Sequence, residues 1–254
     1  MKNRMDRLAE ALKERARFFD DIGAQFLIDS DPGRKKMSRT GTRRAVQAPE
    51  PPSFGKAAPK SEPGRPPSPE DIKALEQAVL GCGLCPLSRL RTNAVPGEGN
   101  WSSELMFIGE GPGRDEDLQG RPFVGRAGQL LTKIIAVMGF RREDVFIANV
   151  IKCRPPENRV PHREEIEACS PYLIRQIDMI RPRVIVTLGK TPTDFFIPSR
   201  LGMTALRGRL GEYRGIPVMP TFHPAYLVRN ERNRDLRRMV WEDMQKVMAL
   251  LGKK

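Results

Sequence analysis

Leu105-Met106-Phe107-Ile108, followed at once by Gly109-Glu110-Gly111-Pro112-Gly113, reads as a short, wholly apolar strand running into a glycine-rich turn. The same pattern returns along the chain. Val145–Val150, Val184–Leu188 and Val218-Met219-Pro220 are further apolar runs of strand length. Between them lie segments of helical period: residues 125–139 with Leu130, Leu131, Ile134, Ile135 and Met138, then residues 163–180 with Ile166, Cys169, Leu173, Ile177 and Ile180. A short helix is expected after Gly189 and a last one over roughly 232–251. Strands that are apolar on both faces, alternating with helices, predict an α/β fold: a central, parallel-type, four-stranded sheet covered by helices on both faces. In such sheets ligands bind beyond the carboxyl ends of the strands.

The 254-residue chain does not begin with this pattern. Residues 1–29 space Leu8, Leu12, Phe19, Ile22 and Phe26 as an amphipathic helix, which is expected either to dock a protein partner or to fold back on the domain. Residues 30–68 lose all periodicity, hold nine basic against three acidic side chains, and are rich in proline. Too little apolar surface is available there to offset the entropy of ordering, so a disordered basic linker is expected. Order resumes at Ser68-Pro69-Glu70-Asp71, an N-cap followed by a proline at the first helical position, and residues 69–254 are expected to be the α/β domain. The net charge of +13 favours a polyanionic partner. No apolar run approaches the ~18 residues of a membrane helix, and the charged N-terminus lacks a signal-peptide core, so a cytoplasmic protein, a monomer, is expected.

Cys82 and Cys85 stand two residues apart, Cys153 follows the second strand, and Cys169 lies on the helix after it. In a reducing compartment a disulfide is a poor account of this spacing. Four thiolates suit tetrahedral zinc or an iron–sulfur cluster; the plainer alternative is four separate buried thiols.

Three polar clusters fall at strand ends. The turn after the first strand carries Glu110, Gly111 and Glu116 and leads to Phe123, without a phosphate-binding glycine pattern. Phe123 is either a stacking surface or a core residue. Asn149 sits inside an otherwise apolar strand, where its amide needs partners and presents the complement of an imide edge. Lys152-Cys153-Arg154-Pro155-Pro156-Glu157-Asn158-Arg159 follows it as a basic loop, and His223 stands before Pro224 at the end of the fourth strand.

Together Gly109–Asp117, Gly120–Gly125, Asn149 with Lys152–Arg159, and Phe222–Leu227 resemble the family-4 uracil-DNA glycosylases, the iron–sulfur branch of that superfamily. The likeness covers roughly residues 70–250. It implies a [4Fe–4S] cluster on Cys82, Cys85, Cys153 and Cys169, and base excision from single- or double-stranded uracil-containing DNA. By the same resemblance Phe123 stacks on a flipped uracil and Asn149 reads its N3–H and O4. His223 stabilises charge on O2, and Glu110 positions water with Glu116 as its orienter. Better-known branches place an Asp at the position of Gly111, whereas family-4 members carry a small residue there. A cross-linking branch carries a histidine where this chain has Asn158, which implies ordinary turnover. Arg154 and Arg159 are expected to meet phosphates, while Tyr226 and Leu227 are expected to wedge into the space the base vacates. Two other readings remain open at this point: a non-catalytic nucleic-acid-binding module, and a zinc-stapled scaffold.

Overall fold

The computed structural model describes residues 67–253. The amphipathic segment 1–29 and all of the basic segment up to residue 66 lie outside the described residues.

Among the described residues, six strands form one sheet in the order β1-β3-β2-β4-β6-β5. They are β1 (Glu98–Gly99), β2 (Leu105–Gly109), β3 (Phe146–Asn149), β4 (Val184–Leu188), β5 (Gly211–Tyr213) and β6 (Ile216–Thr221). The four apolar strands expected from the sequence are the parallel centre, β3-β2-β4-β6. The expected four-stranded sheet is corrected by two edge strands, both antiparallel. β1 is only two residues long and β5 three, too short for alternation to show. The β5–β6 hairpin closes through Arg214 and Gly215, both at positive φ, the backbone that a two-residue turn between twisted strands requires.

The helices of the described residues are α1 (Pro69–Leu80), α2 (Arg114–Gln119), α3 (Arg126–Val137), α4 (Arg163–Ile180), α5 (Lys190–Phe196), α6 (Met203–Leu206), α7 (Pro224–Arg229) and α8 (Arg234–Leu250). Ser68 caps α1: its hydroxyl accepts from the Asp71 N–H at 3.2 Å, and its own N–H donates to the Asp71 carboxylate at 3.1 Å. β4 and α4 run over the residues that their hydrophobic patterns predict.

Because side chains alternate along a strand, the sheet divides the core in two. Leu105, Phe107, Val184, Val186 and Leu188 face one side, packed against Leu131, Ile135, Val240 and Val247 of α3 and α8. Met106, Ile108, Phe146, Ala148 and Ile185 face the other, against Leu173 and Ile177 of α4 and Phe196 of α5. With both faces covered, polar chemistry is confined to the strand ends. No helix among the described residues is long and apolar enough to cross a membrane.

Candidate active site at the carboxyl ends of the parallel strands

The turns after β2, β3, β4 and β6 enclose a cavity of about 420 Å3, whose lining includes Glu110, Gly111, Glu116, Phe123, Asn149, Asn158 and His223. All seven catalytic or base-binding candidates of the sequence therefore meet in one place. The parallel register explains the convergence: Gly109 pairs with Asn149 across β2 and β3, so the turns that follow leave the sheet side by side.

Gly109 is the point of closest approach. A Cβ there would stand 2.4 Å from Asn149 Oδ1 and 2.6 Å from Phe123 Cζ, so only glycine lets the amide and the ring share this corner. Asn149 is buried, and its Oδ1 receives no hydrogen bond among the described residues. Phe123 is also buried, with φ at +51°, a conformation held by the loop around it. Glu116 does the holding. Its Oε1 accepts from the N–H groups of Val124 and Gly125 at 2.9 and 3.0 Å, and its Oε2 from Gly113 N–H at 3.1 Å. With both oxygens engaged by the backbone, Glu116 shapes the loop that carries Phe123.

Glu110 has a different environment. Its backbone carbonyl accepts from Ile151 N–H at 3.1 Å, and its Oε2 accepts the hydroxyl of Thr191. Next to it, the missing side chain of Gly111 leaves space that Ile151 fills: a Cβ at residue 111 would lie 2.7 Å from Ile151 Cγ1.

His223 caps α7. Its Nδ1 accepts from Ala225 N–H at 3.0 Å, which puts the proton of the neutral ring on Nε2. Burial, helped by the nearby Arg229, pushes its pKa down to about 4. Part of the residue faces the cavity, and protein surrounds the rest. Its ring lies against Phe123, with centroids 5.7 Å apart and planes 29° from parallel.

The outer candidates divide. Tyr226 is exposed on α7, but Leu227 is 2% exposed and packs into the core, because the helix turns it away from solvent. The expected wedge role is therefore corrected for Leu227. Arg159 lines the cavity and makes a bidentate pair with the buried Glu165 at 2.8 and 2.6 Å. Arg154 donates to Asn158 Oδ1 at 2.8 Å.

The cysteines are all free thiols. Cys153 and Cys169 are buried, and their burial pushes both pKa values up, that of Cys169 to about 12. Arg91 donates to Cys153 Sγ at 2.9 Å, and the backbone N–H of Lys152 to Cys169 Sγ at 3.1 Å. Cys82 and Cys85 both act electrostatically on Cys153, and Cys82 and Cys153 on Cys169, so the four sulfurs are neighbours. Among the described residues no three or more His, Cys, Asp or Glu side chains are gathered tightly enough to hold a single metal ion.

Sequence reasoning missed Lys190 and Arg229, which add positive charge to the cavity lining, and Thr191. The signal was available, since Gly189-Lys190-Thr191 is the turn at the carboxyl end of β4.

Residues 96–245 match the family described as the Uracil DNA glycosylase superfamily. A type-4 uracil-DNA glycosylase of Thermotoga maritima is 49% identical over 186 residues, which cover 72% of this chain and 96% of that protein. One of Sulfurisphaera tokodaii is 47% identical over 191 residues, or 71% of this chain and 85% of that protein. A third, of Saccharolobus solfataricus, is 45% identical over 197 residues, 73% and 88% of the two chains. With matches of this length spanning every strand end that builds the cavity, the chain belongs to the uracil-DNA glycosylase superfamily and, within it, to the type-4 enzymes.

Proposed function

We propose that the cavity receives a uracil turned out of DNA and that its residues divide the hydrolysis of the N-glycosidic bond among them. The protein is a DNA-repair glycosylase, a hydrolase like the type-4 uracil-DNA glycosylases it matches, and DNA is its partner. Flipping removes the nucleotide from the stack and is easiest for a mispaired base.

The observation that carries the residue assignment is the orphaned acceptor of Asn149. A buried oxygen without a donor costs about 1–3 kcal/mol, and the N3–H of uracil supplies that donor while the Asn149 amide N–H reaches O4. Cytosine presents an acceptor at N3 and is rejected. Phe123 offers the base an apolar face. As the C1′–N1 bond breaks, its electron pair passes to the uracil ring, and the Nε2–H of neutral His223 stabilises the charge on O2. Arg229 adds a positive field on the same side. Water adds to C1′ and passes a proton to the free oxygen of the Glu110 carboxylate; the uracil anion takes a proton from solvent, so the products are free uracil and an abasic site. Glu116 takes part only by holding the Phe123 loop. Arg159 in the cavity lining, with Arg154 on the same loop and the exposed Tyr226, would meet the DNA strand.

The thiol set fits an iron–sulfur cluster. It comprises four neighbouring sulfurs, and burial of Cys153 and Cys169 disfavours free thiolates there unless bound metal shares their charge. A [4Fe–4S] cluster held by Cys82, Cys85, Cys153 and Cys169 would cross-link the turn after α1, the Lys152–Arg159 loop and α4.

Incubation with single- and double-stranded oligonucleotides holding one uracil tests the reading. Free uracil and an alkali-labile site are expected; release from neither substrate overturns it.

A further inference from the structure

Thr191 lies outside every cluster that the sequence singles out, yet it touches the carboxylate assigned to the water. It stands in the first turn of α5, two residues after Gly189, and is half-buried. β2 and β4 are parallel neighbours, so the turn after β4 passes beside the turn after β2. There the Thr191 hydroxyl donates to Glu110 Oε2, and no other hydrogen bond to that carboxylate forms among the described residues. The Glu110 backbone is held independently from the β3 side, through Ile151 N–H. The same turn reaches the opposite wall of the cavity. Gly189 N–H donates to Thr221 O at 2.9 Å, two residues before His223, and Gly189 and Lys190 themselves line the cavity.

A glutamate has two side-chain carbons to rotate before its carboxylate, and an unrestrained one samples several rotamers. Thr191 removes that freedom by occupying Oε2 with a donor, which leaves Oε1 to accept from water. A hydroxyl is well matched to this role, since it carries one proton to give and the carboxylate gives none back while ionised. We infer that Thr191 is a positioning residue for hydrolysis, holding Glu110 so that one carboxylate oxygen faces the attacking water. The inference rests on the assignment of Glu110 to the water side.

The experiment is a cycle of four proteins, wild type, Thr191→Val, Glu110→Gln and the double variant, in single-turnover excision and in steady state. Valine keeps the shape of threonine and removes the hydroxyl. Thr191→Val is expected to lower the excision rate about 10- to 100-fold, less than the roughly 100- to 10,000-fold that a positioned acid–base group itself contributes, with KM and the unfolding midpoint near wild type. Thr191→Ser, which keeps the hydroxyl, is expected to restore most of the rate, and Thr191→Ala to behave as the valine variant if valine packs badly. Because Thr191 acts through Glu110, adding Thr191→Val to Glu110→Gln is expected to cost nothing further. A wild-type rate in Thr191→Val, or an equal loss in both backgrounds, overturns the inference while leaving Glu110 in place. A wild-type rate in Glu110→Gln overturns the assignment of Glu110 itself, and the inference with it.

Discussion

The imidazole of His223 accepts a hydrogen bond on Nδ1 from the N–H of Ala225, two residues further on, at 3.0 Å. The chain thereby selects the tautomer of its own donor at the point where it enters α7. Removing one preorganised donor from such a site typically slows reaction about 100- to 1000-fold. His223→Ala is therefore expected to lose that factor in single-turnover excision while DNA affinity, measured on an abasic oligonucleotide, stays near wild type.

The depressed pKa of His223 has its own consequence. A histidine held near 4 in the folded protein and near 6.5 in the unfolded chain binds fewer protons when folded. In the folded protein its ring is thus neutral above about pH 4, and its contribution to stability, complete above about pH 6.5, is lost as pH falls from there through 4. Nitrogen chemical shifts are expected to show a neutral ring, protonated at Nε2, at about pH 6. A His223 signal titrating near 6.5 contradicts this.

Asn149 and Gly109 make the specificity prediction. Asn149→Asp keeps the shape of the side chain; its carboxyl, when protonated, presents a donor to N3 of cytosine and an acceptor to N4–H. Cytosine release, absent in wild type, is expected to become measurable as uracil release falls. Gly109→Ala is expected to abolish both activities, because its methyl carbon meets Asn149 Oδ1 at 2.4 Å and Phe123 Cζ at 2.6 Å.

Gly111 tests whether an acid can be placed beside Glu110. The side chain of Ile151 occupies the space a Cβ would need, so Gly111→Asp is expected to lower stability by about 1–3 kcal/mol, read as a drop in the denaturant midpoint. Pairing it with Ile151→Ala relieves the clash. If Gly111→Asp alone leaves the midpoint unchanged, the isoleucine does not limit this site.

The thiols make a fourth site to test. Iron and sulfide in near-stoichiometric amounts, with a broad visible absorbance that colours the protein brown, are expected from protein expressed with iron supplied. Cys85→Ala is expected to lose that absorbance and to unfold at lower temperature. Stoichiometric zinc in place of iron contradicts the cluster.

Much of this protein is legible in one dimension. Val184–Leu188 and residues 163–180 follow from apolar run and helical period because local burial decides them. The placing of polar residues at strand ends was legible for the same reason, since strands buried on both faces leave polar side chains nowhere else to go. The edge strands were not, because β1 and β5 exist only through pairing with β3 and β6. Nor could the sequence say how each polar atom is spent. Glu110 and Glu116 lie in one loop, yet neighbouring backbone N–H groups engage both oxygens of Glu116, while Glu110 meets a hydroxyl from another strand's turn. Tyr226 and Leu227 are adjacent, and the helix exposes one and buries the other. Residue type and period determined which elements form and where the polar clusters lie along them. Only tertiary structure decided which lone pairs and donors remain available to a substrate, because their partners come from segments far apart in the chain.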